Sequence, residues 1–194
     1  MYSRFFSFSG FVVTATLLSA AAAGQSVDEM QTKAVQFLEV TQAADGSWTK
    51  PDAVGITGLV TTSLLMSGKP ADDPLVKKGL DFIVANQQSN GGIHAASSRH
   101  QNYETCIAML TLAEANKDGR FDSVIKKGEN FLRDLQWDEG EGIETTDGAF
   151  GGGGYDSKQR PDMSKTQFRI VEIKKAGVAD DDTAMEKDCS VYTS

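Results

Sequence analysis

Apolar positions recur along this chain at intervals of three and four residues, the spacing that puts them on one face of an α-helix. Val27, Met30, Ala34, Phe37, Leu38 and Thr41 form the first such stripe. Ser26 precedes it as an N-cap, with Glu29 three residues on to complete a capping box. A second stripe, Leu75, Gly79, Phe82, Ile83 and Asn86, follows Asp73-Pro74, a cap with proline at the first helical position. A third, Val124, Gly128, Phe131, Leu132 and Leu135, starts from Asp122. Ala34, Gly79 and Gly128 share one register, where small residues predict close approach by a neighbouring helix. Between the stripes lie three more apolar, less charged stretches that superpose on Thr57, Thr105 and Thr166. Gly68, Asn116 and Gly177 then fall at a common stop position. No run of β-branched residues alternates, so the predicted fold is all-α, with charged outer helices alternating with apolar inner ones.

The same string occurs three times. It reads Lys33-Ala34-x-x-Phe37-Leu38-x-x-x-Gln42-x-x-x-Gly46-x-Trp48, then Lys78-Gly79-x-x-Phe82-Ile83-x-x-x-Gln87-x-x-x-Gly91-x-Ile93, then Lys127-Gly128-x-x-Phe131-Leu132-x-x-x-Gln136-x-x-x-Gly140. A period of this length belongs to helical-hairpin repeats, in which each unit buries its apolar face only against its neighbours.

This string resembles the QW repeat of squalene–hopene and oxidosqualene cyclases, within the terpenoid cyclase/protein prenyltransferase superfamily. The resemblance covers residue 27 to about residue 177. It implies an α/α toroid, here an incomplete arc of about three helical hairpins around an apolar cavity. It also implies a structural role for Gln42, Trp48, Gln87 and Gln136, which would tie a helix end to its neighbour. The cyclases protonate their substrate with the middle aspartate of an Asp-x-Asp-Asp-Thr-Ala motif. Two segments here are similar to it. Asp162 precedes the third inner helix, but Ser164 and Lys165 stand where the acid and its neighbour belong. Asp181, within Ala179-Asp180-Asp181-Asp182-Thr183-Ala184, has acids in register but lies between helices and reads first as a helix-capping cluster. Glu104-x-Cys106, with His94 and His100 upstream, echoes the zinc ligands of the prenyltransferases, yet two histidines in a polar loop and a small buried thiol account for it. No metal and no cofactor are expected.

Charge and composition narrow the function. With 19 Lys and Arg against 27 Asp and Glu, the net charge of −8 argues against nucleic acid as a partner. Arg4, the apolar run Phe5 to Leu18 and Ala21-Ala22-Ala23 make residues 1–23 an export signal, so the protein is expected in the periplasm or outside the cell. Residues 24–177 form the repeat domain. The Gly148–Tyr155 loop follows no strand and lacks a phosphate-binding ending. It delivers Phe150, Tyr155 and Asp162 toward an inner-helix start, where Tyr103 and Phe168 complete the expected ligand pocket. From residue 178 to 194 the repeat breaks down, because Lys187 is followed by Asp188 rather than by Ala or Gly. A truncated product, self-association through the open C-terminal end of the arc, or docking on another protein would each explain that ending. The expected function is an exported repeat protein without its own catalysis, binding an apolar small molecule or a protein on the inner face. The alternative is a fragment of a terpenoid cyclase or prenyltransferase, with Asp162 or Asp181 as the acid.

Overall fold

The structure is a computed structural model, and it describes residues 26–49, 52–154, 166–167, 169–171, 174 and 182–190. The order is α1 (Val27–Thr41), α2 (Val54–Met66), α3 (Pro74–Ala85), α4 (Gln101–Ala115) and α5 (Asp122–Asp134). A short 3-10 turn (Glu139–Glu141) follows, then helical residues at 166–167 and 169–171, then α6 (Thr183–Ser190). No strand occurs among the described residues, only isolated bridges at Gln87–Ile93 and Gln136–Gly153. The all-α prediction therefore holds. Outer helices α1, α3, α5 and α6 alternate with α2, α4 and the helical residues 166–167 and 169–171 in the order the repeat requires.

The local signals act as the sequence implies. Ser26 accepts from Glu29 N–H while the Glu29 side chain accepts from Ser26 N–H, closing the capping box of α1. Asp73 accepts from Leu75 N–H at 2.9 Å, ahead of Pro74. Inner helices α2 and α4 pack directly on each other, made possible by small residues. A Cβ on Gly58 would sit 2.7 Å from Ile107 Cγ2, and the Thr62 and Thr111 hydroxyls meet at 2.9 Å. The core runs from Trp48 and Val54 through Val76, Leu80 and Ile83 to Ile107, Met109, Leu112 and Leu132.

The first stripe behaves differently from the prediction. None of the residues of α1 is buried, and Val27, Met30 and Phe37 are exposed. Only Leu38, at the edge of the stripe, and Val35 beside it pack on the core. The stripe is apolar because the repeat places apolar residues there, yet among the described residues no preceding hairpin covers it.

Candidate functional site

Each junction between hairpins is a clasp built on the repeated glutamine. The Gln42 side-chain amide donates to the Gly46 carbonyl at 3.1 Å and to the Leu75 carbonyl in the first turn of α3 at 3.0 Å. Gln87 repeats this with Gly91 at 3.3 Å and Val124 at 3.0 Å. Gln136 does the same with Gly151 at 3.1 Å and Ala184 at 3.0 Å. Every glutamine thus ties one loop carbonyl to one carbonyl in the first turn of the next outer helix, and so fixes the loop against that helix. The inner-helix threonine closes the other side. Trp48 N–H donates to Thr57 Oγ1 at 3.2 Å, Ile93 N–H to Thr105 Oγ1 at 3.0 Å, and Gly153 N–H to Thr166 Oγ1 at 2.9 Å.

The third clasp corrects the sequence reading, which placed its glycine at Gly140. The separation from glutamine to glycine is four residues in the first two clasps and fifteen in the third. Gly46, Gly91 and Gly151 have φ of 91°, 93° and 81°, and a Cβ on any of them would strike the carbonyl of Lys78, Lys127 or Lys187 respectively. The flanking backbone bonds agree: Ala43 N–H to Ser47 O, Gln88 N–H to Gly92 O and Trp137 N–H to Gly152 O. The extra residues loop out after Trp137 and carry the 3-10 turn. In this register Gly153 occupies the position of Trp48 and Ile93, and Asp188 that of Gly79 and Gly128.

Trp48 is 3% exposed, and its indole N–H donates to the Leu38 carbonyl at 3.0 Å. In the third repeat Gly153 has no side chain to do this. Arg169 takes over from the inner helix. Its guanidinium donates to the Leu132 carbonyl, the counterpart of Leu38, at 3.1 Å, to the Gly151 carbonyl at 3.1 Å, and to Asp188 Oδ1. Arg169 and Asp188 are fully buried. Burial pushes the Asp188 carboxyl up to about 6, with Arg169 and Gln136 pulling the other way. Neither residue was legible as functional from composition; only alignment to the repeat register exposes them.

Around this pair α6 is held by further ions. Arg133 grips Asp182 at 2.8 and 3.0 Å, and Asp182 also caps α6 through Ala184 N–H. The acidic cluster beside it thus supplies a cap and an ion pair, while Asp181 itself lies outside the described residues. Lys187 reaches Asp138 at 3.0 Å and Glu139 at 2.9 Å, contacts that hold the Glu139 carboxyl below and the Lys187 ammonium above their ordinary values. The same ammonium lies 5.4 Å from the Phe150 ring centre, and Phe150 is buried.

Tyr103 is half-buried near the start of α2, where a Cβ on Gly55 would be 3.9 Å from its ring. Tyr155, Asp162 and Phe168 lie outside the described residues. Asn102, which sequence reasoning passed over, is buried, donates to the Gly154 carbonyl at 2.6 Å and accepts from the Cys106 thiol. Glu104 accepts from Ala95 N–H, and His94 is buried with Nδ1 2.9 Å from the Ala95 carbonyl and Nε2 unpartnered. No group of three or more His, Cys, Asp or Glu among the described residues could hold a metal ion.

An open cleft of about 500 Å³ lies between α1 and α2. Its wall is formed by Phe37, Leu38, Trp48, Ile56 and Val60, with Thr41, Ala43, Ser47 and Thr49, and none of them is charged. Three of its polar side chains are already engaged: Thr41 donates to the Phe37 carbonyl, Ser47 to Asp45, and the Trp48 indole to the Leu38 carbonyl. Such a wall has apolar area to offer and few free hydrogen-bonding groups.

The model of the squalene-hopene cyclase C-terminal domain matches residues 49–189. The chain belongs to this family. The match begins just after Trp48, spans the second and third clasps and ends within α6, so the long loop after Gln136 and the Arg169–Asp188 junction lie inside the family's domain. No solved structure matches the chain. No helix among the described residues is long and apolar enough to cross a membrane.

Proposed function

We propose that this chain is an exported member of the squalene–hopene cyclase C-terminal domain family that binds an uncharged apolar molecule rather than transforming one. The observation that carries this reading is the cleft between α1 and α2: about 500 Å³, walled by Phe37, Trp48, Ile56 and Val60, with no charged side chain. The size is ordinary for a small-molecule site. The acids described near the inner-helix starts and in the third junction are engaged elsewhere. Glu104 accepts from Ala95, Asp182 pairs with Arg133, and Asp188 pairs with Arg169.

Farnesol, an apolar isoprenoid alcohol, tests the reading. The chain has two tryptophans, so a Trp137→Phe background leaves Trp48 as the reporter in the cleft wall. Saturable change in its emission is expected, and Ile56→Asp, at a half-exposed position, should weaken binding more than tenfold. A titration with no saturation, or one that Ile56→Asp leaves unchanged, overturns the proposal. The family match favours a second reading, cyclase catalysis with Asp162 or Asp181 as proton donor. Squalene turnover lost in Asp162→Asn or Asp181→Asn would establish that reading; turnover that survives both removes these acids from it.

A further inference from the structure

We propose that α6 is the matched partner of the third hairpin, selected over any other outer helix of this chain because only α6 brings a hydrogen-bond acceptor to the buried Arg169 guanidinium. The three junctions share one backbone plan, so α3, α5 and α6 present comparable faces to the clasps that precede them, and α1 carries the same repeat positions. They differ at one register position. Gly79 and Gly128 leave room there for Thr61 and Trp48, and for Met109, whose sulfur lies 2.9 Å from where a Gly128 Cβ would be. Asp188 fills the same position in α6.

The facing side of the junction changes in step. Val60 and Ala108 stand on α2 and α4 where Arg169 stands on the third inner helical segment. The tryptophan position is vacated as Gly153, whose Cβ would lie 3.7 Å from Arg169 Nε. Three positions therefore differ together in the third junction: the side chain of Trp48 or Ile93 is gone, a guanidinium enters from the inner helix, and a carboxylate arrives on the outer one. Arg169 Nε and Asp188 Oδ2 have no partner, so the pair depends on the remaining contacts to Leu132, Gly151 and Gln136.

The consequence is selectivity. Helix α1 of a second copy has the lysine of the repeat at Lys33 and a small residue at Ala34, so by shape it could dock on the same clasp. With Ala34 in place of Asp188 it would leave a buried guanidinium facing a methyl group, a poorly tolerated arrangement. An exposed apolar α1 and a clasp able to accept an outer helix would otherwise make a head-to-tail assembly. The Arg169–Asp188 pair reserves that clasp for the chain's own α6.

Amide hydrogen exchange on the full chain tests this, read separately for α6 and, as an internal control of folding, for α3 and α4. Asp188→Asn retains an acceptor and should leave α6 protection within about threefold of the parent. Asp188→Ala should accelerate exchange in α6 at least tenfold, and Arg169→Leu should relieve that loss when combined with it, so that the double variant falls short of the product of the singles. Protection of α6 unchanged by Asp188→Ala, or a double variant equal to the product, overturns the proposal. So does a parent chain in which α1 gains protection and α6 loses it as concentration rises.

Discussion

Helix α1 is attached to the body by very little, and Trp48 is the centre of that attachment. None of its residues is buried; Val35 and Leu38 touch the core, Gln42 clasps the next helix, and Gln31 and Glu39 make long contacts to Ser67 and Lys69. Trp48 fills the space behind it, with Cζ3 3.3 Å from where a Gly79 Cβ would be, and its N–H holds the Leu38 carbonyl. Trp48→Phe removes that hydrogen bond and part of the ring, for a cost of about 2 kcal/mol. Trp48→Ala removes the whole side chain and should cost about 3–5 kcal/mol. At 2–4 °C per kcal/mol for a chain of this size, the melting temperature of the alanine variant should fall by roughly 10 °C. Circular dichroism at 222 nm follows it without relying on the tryptophan. A melting temperature unchanged in Trp48→Ala would refute the argument that this side chain secures the first hairpin.

Other outcomes follow from single groups. Gly68 and Gly91 both have positive φ, but a Cβ on Gly68 meets nothing within 4 Å whereas one on Gly91 strikes the Lys127 carbonyl. Gly68→Ala should cost about 1 kcal/mol of backbone strain and Gly91→Ala clearly more; equal urea midpoints would refute the close approach. Asp188 has its folded pKa raised from 3.8 to about 6 by burial, so the folded chain takes up a proton as pH falls through 6 that the unfolded chain takes up only near 4. This group therefore adds stability as pH falls, roughly 2 kcal/mol between pH 7 and 4.5. Asp188→Asn should flatten that part of the urea-denaturation profile, and a parent profile falling across the window would contradict the assignment. Expressed in a secreting host with residues 1–23 intact, the chain should have a mature N-terminus near Gly24, and N-terminal sequencing that recovers Met1 would contradict export by cleavage.

Much of the architecture was legible because its signals are local. Ser26 with Glu29, and Asp73 with Pro74, start their helices as their chemistry dictates, and Gln42, Gln87 and Gln136 clasp their neighbours as the repeat implied. Two features escaped for physical reasons. Gly140 stands four residues after Gln136 by coincidence, hiding a loop-out that only the positive φ of Gly151 and its contact with Lys187 reveal. Asp188 looked like the collapse of the repeat, because its partner is nineteen residues away and takes the place of an aliphatic side chain in earlier units. The candidate site was legible only in part. Tyr103 and Phe150 are placed, Phe150 beneath Lys187, while the cleft at Phe37 and Ile56 arises from a stripe whose apolar pattern says nothing about whether it is covered.

The register of the third clasp carries the whole account, and one pair of variants tests it. Gly151→Ala would drive a Cβ into the Lys187 carbonyl at a φ of 81°, whereas Gly140 has only its neighbour Asp138 nearby, at 3.1 Å. Urea midpoints should show Gly151→Ala losing more than about 2 kcal/mol and Gly140→Ala within about 0.5 kcal/mol of the parent. The reverse order would mean that the clasp closes on Gly140, and that α6 and the Arg169–Asp188 pair do not sit where the repeat puts them.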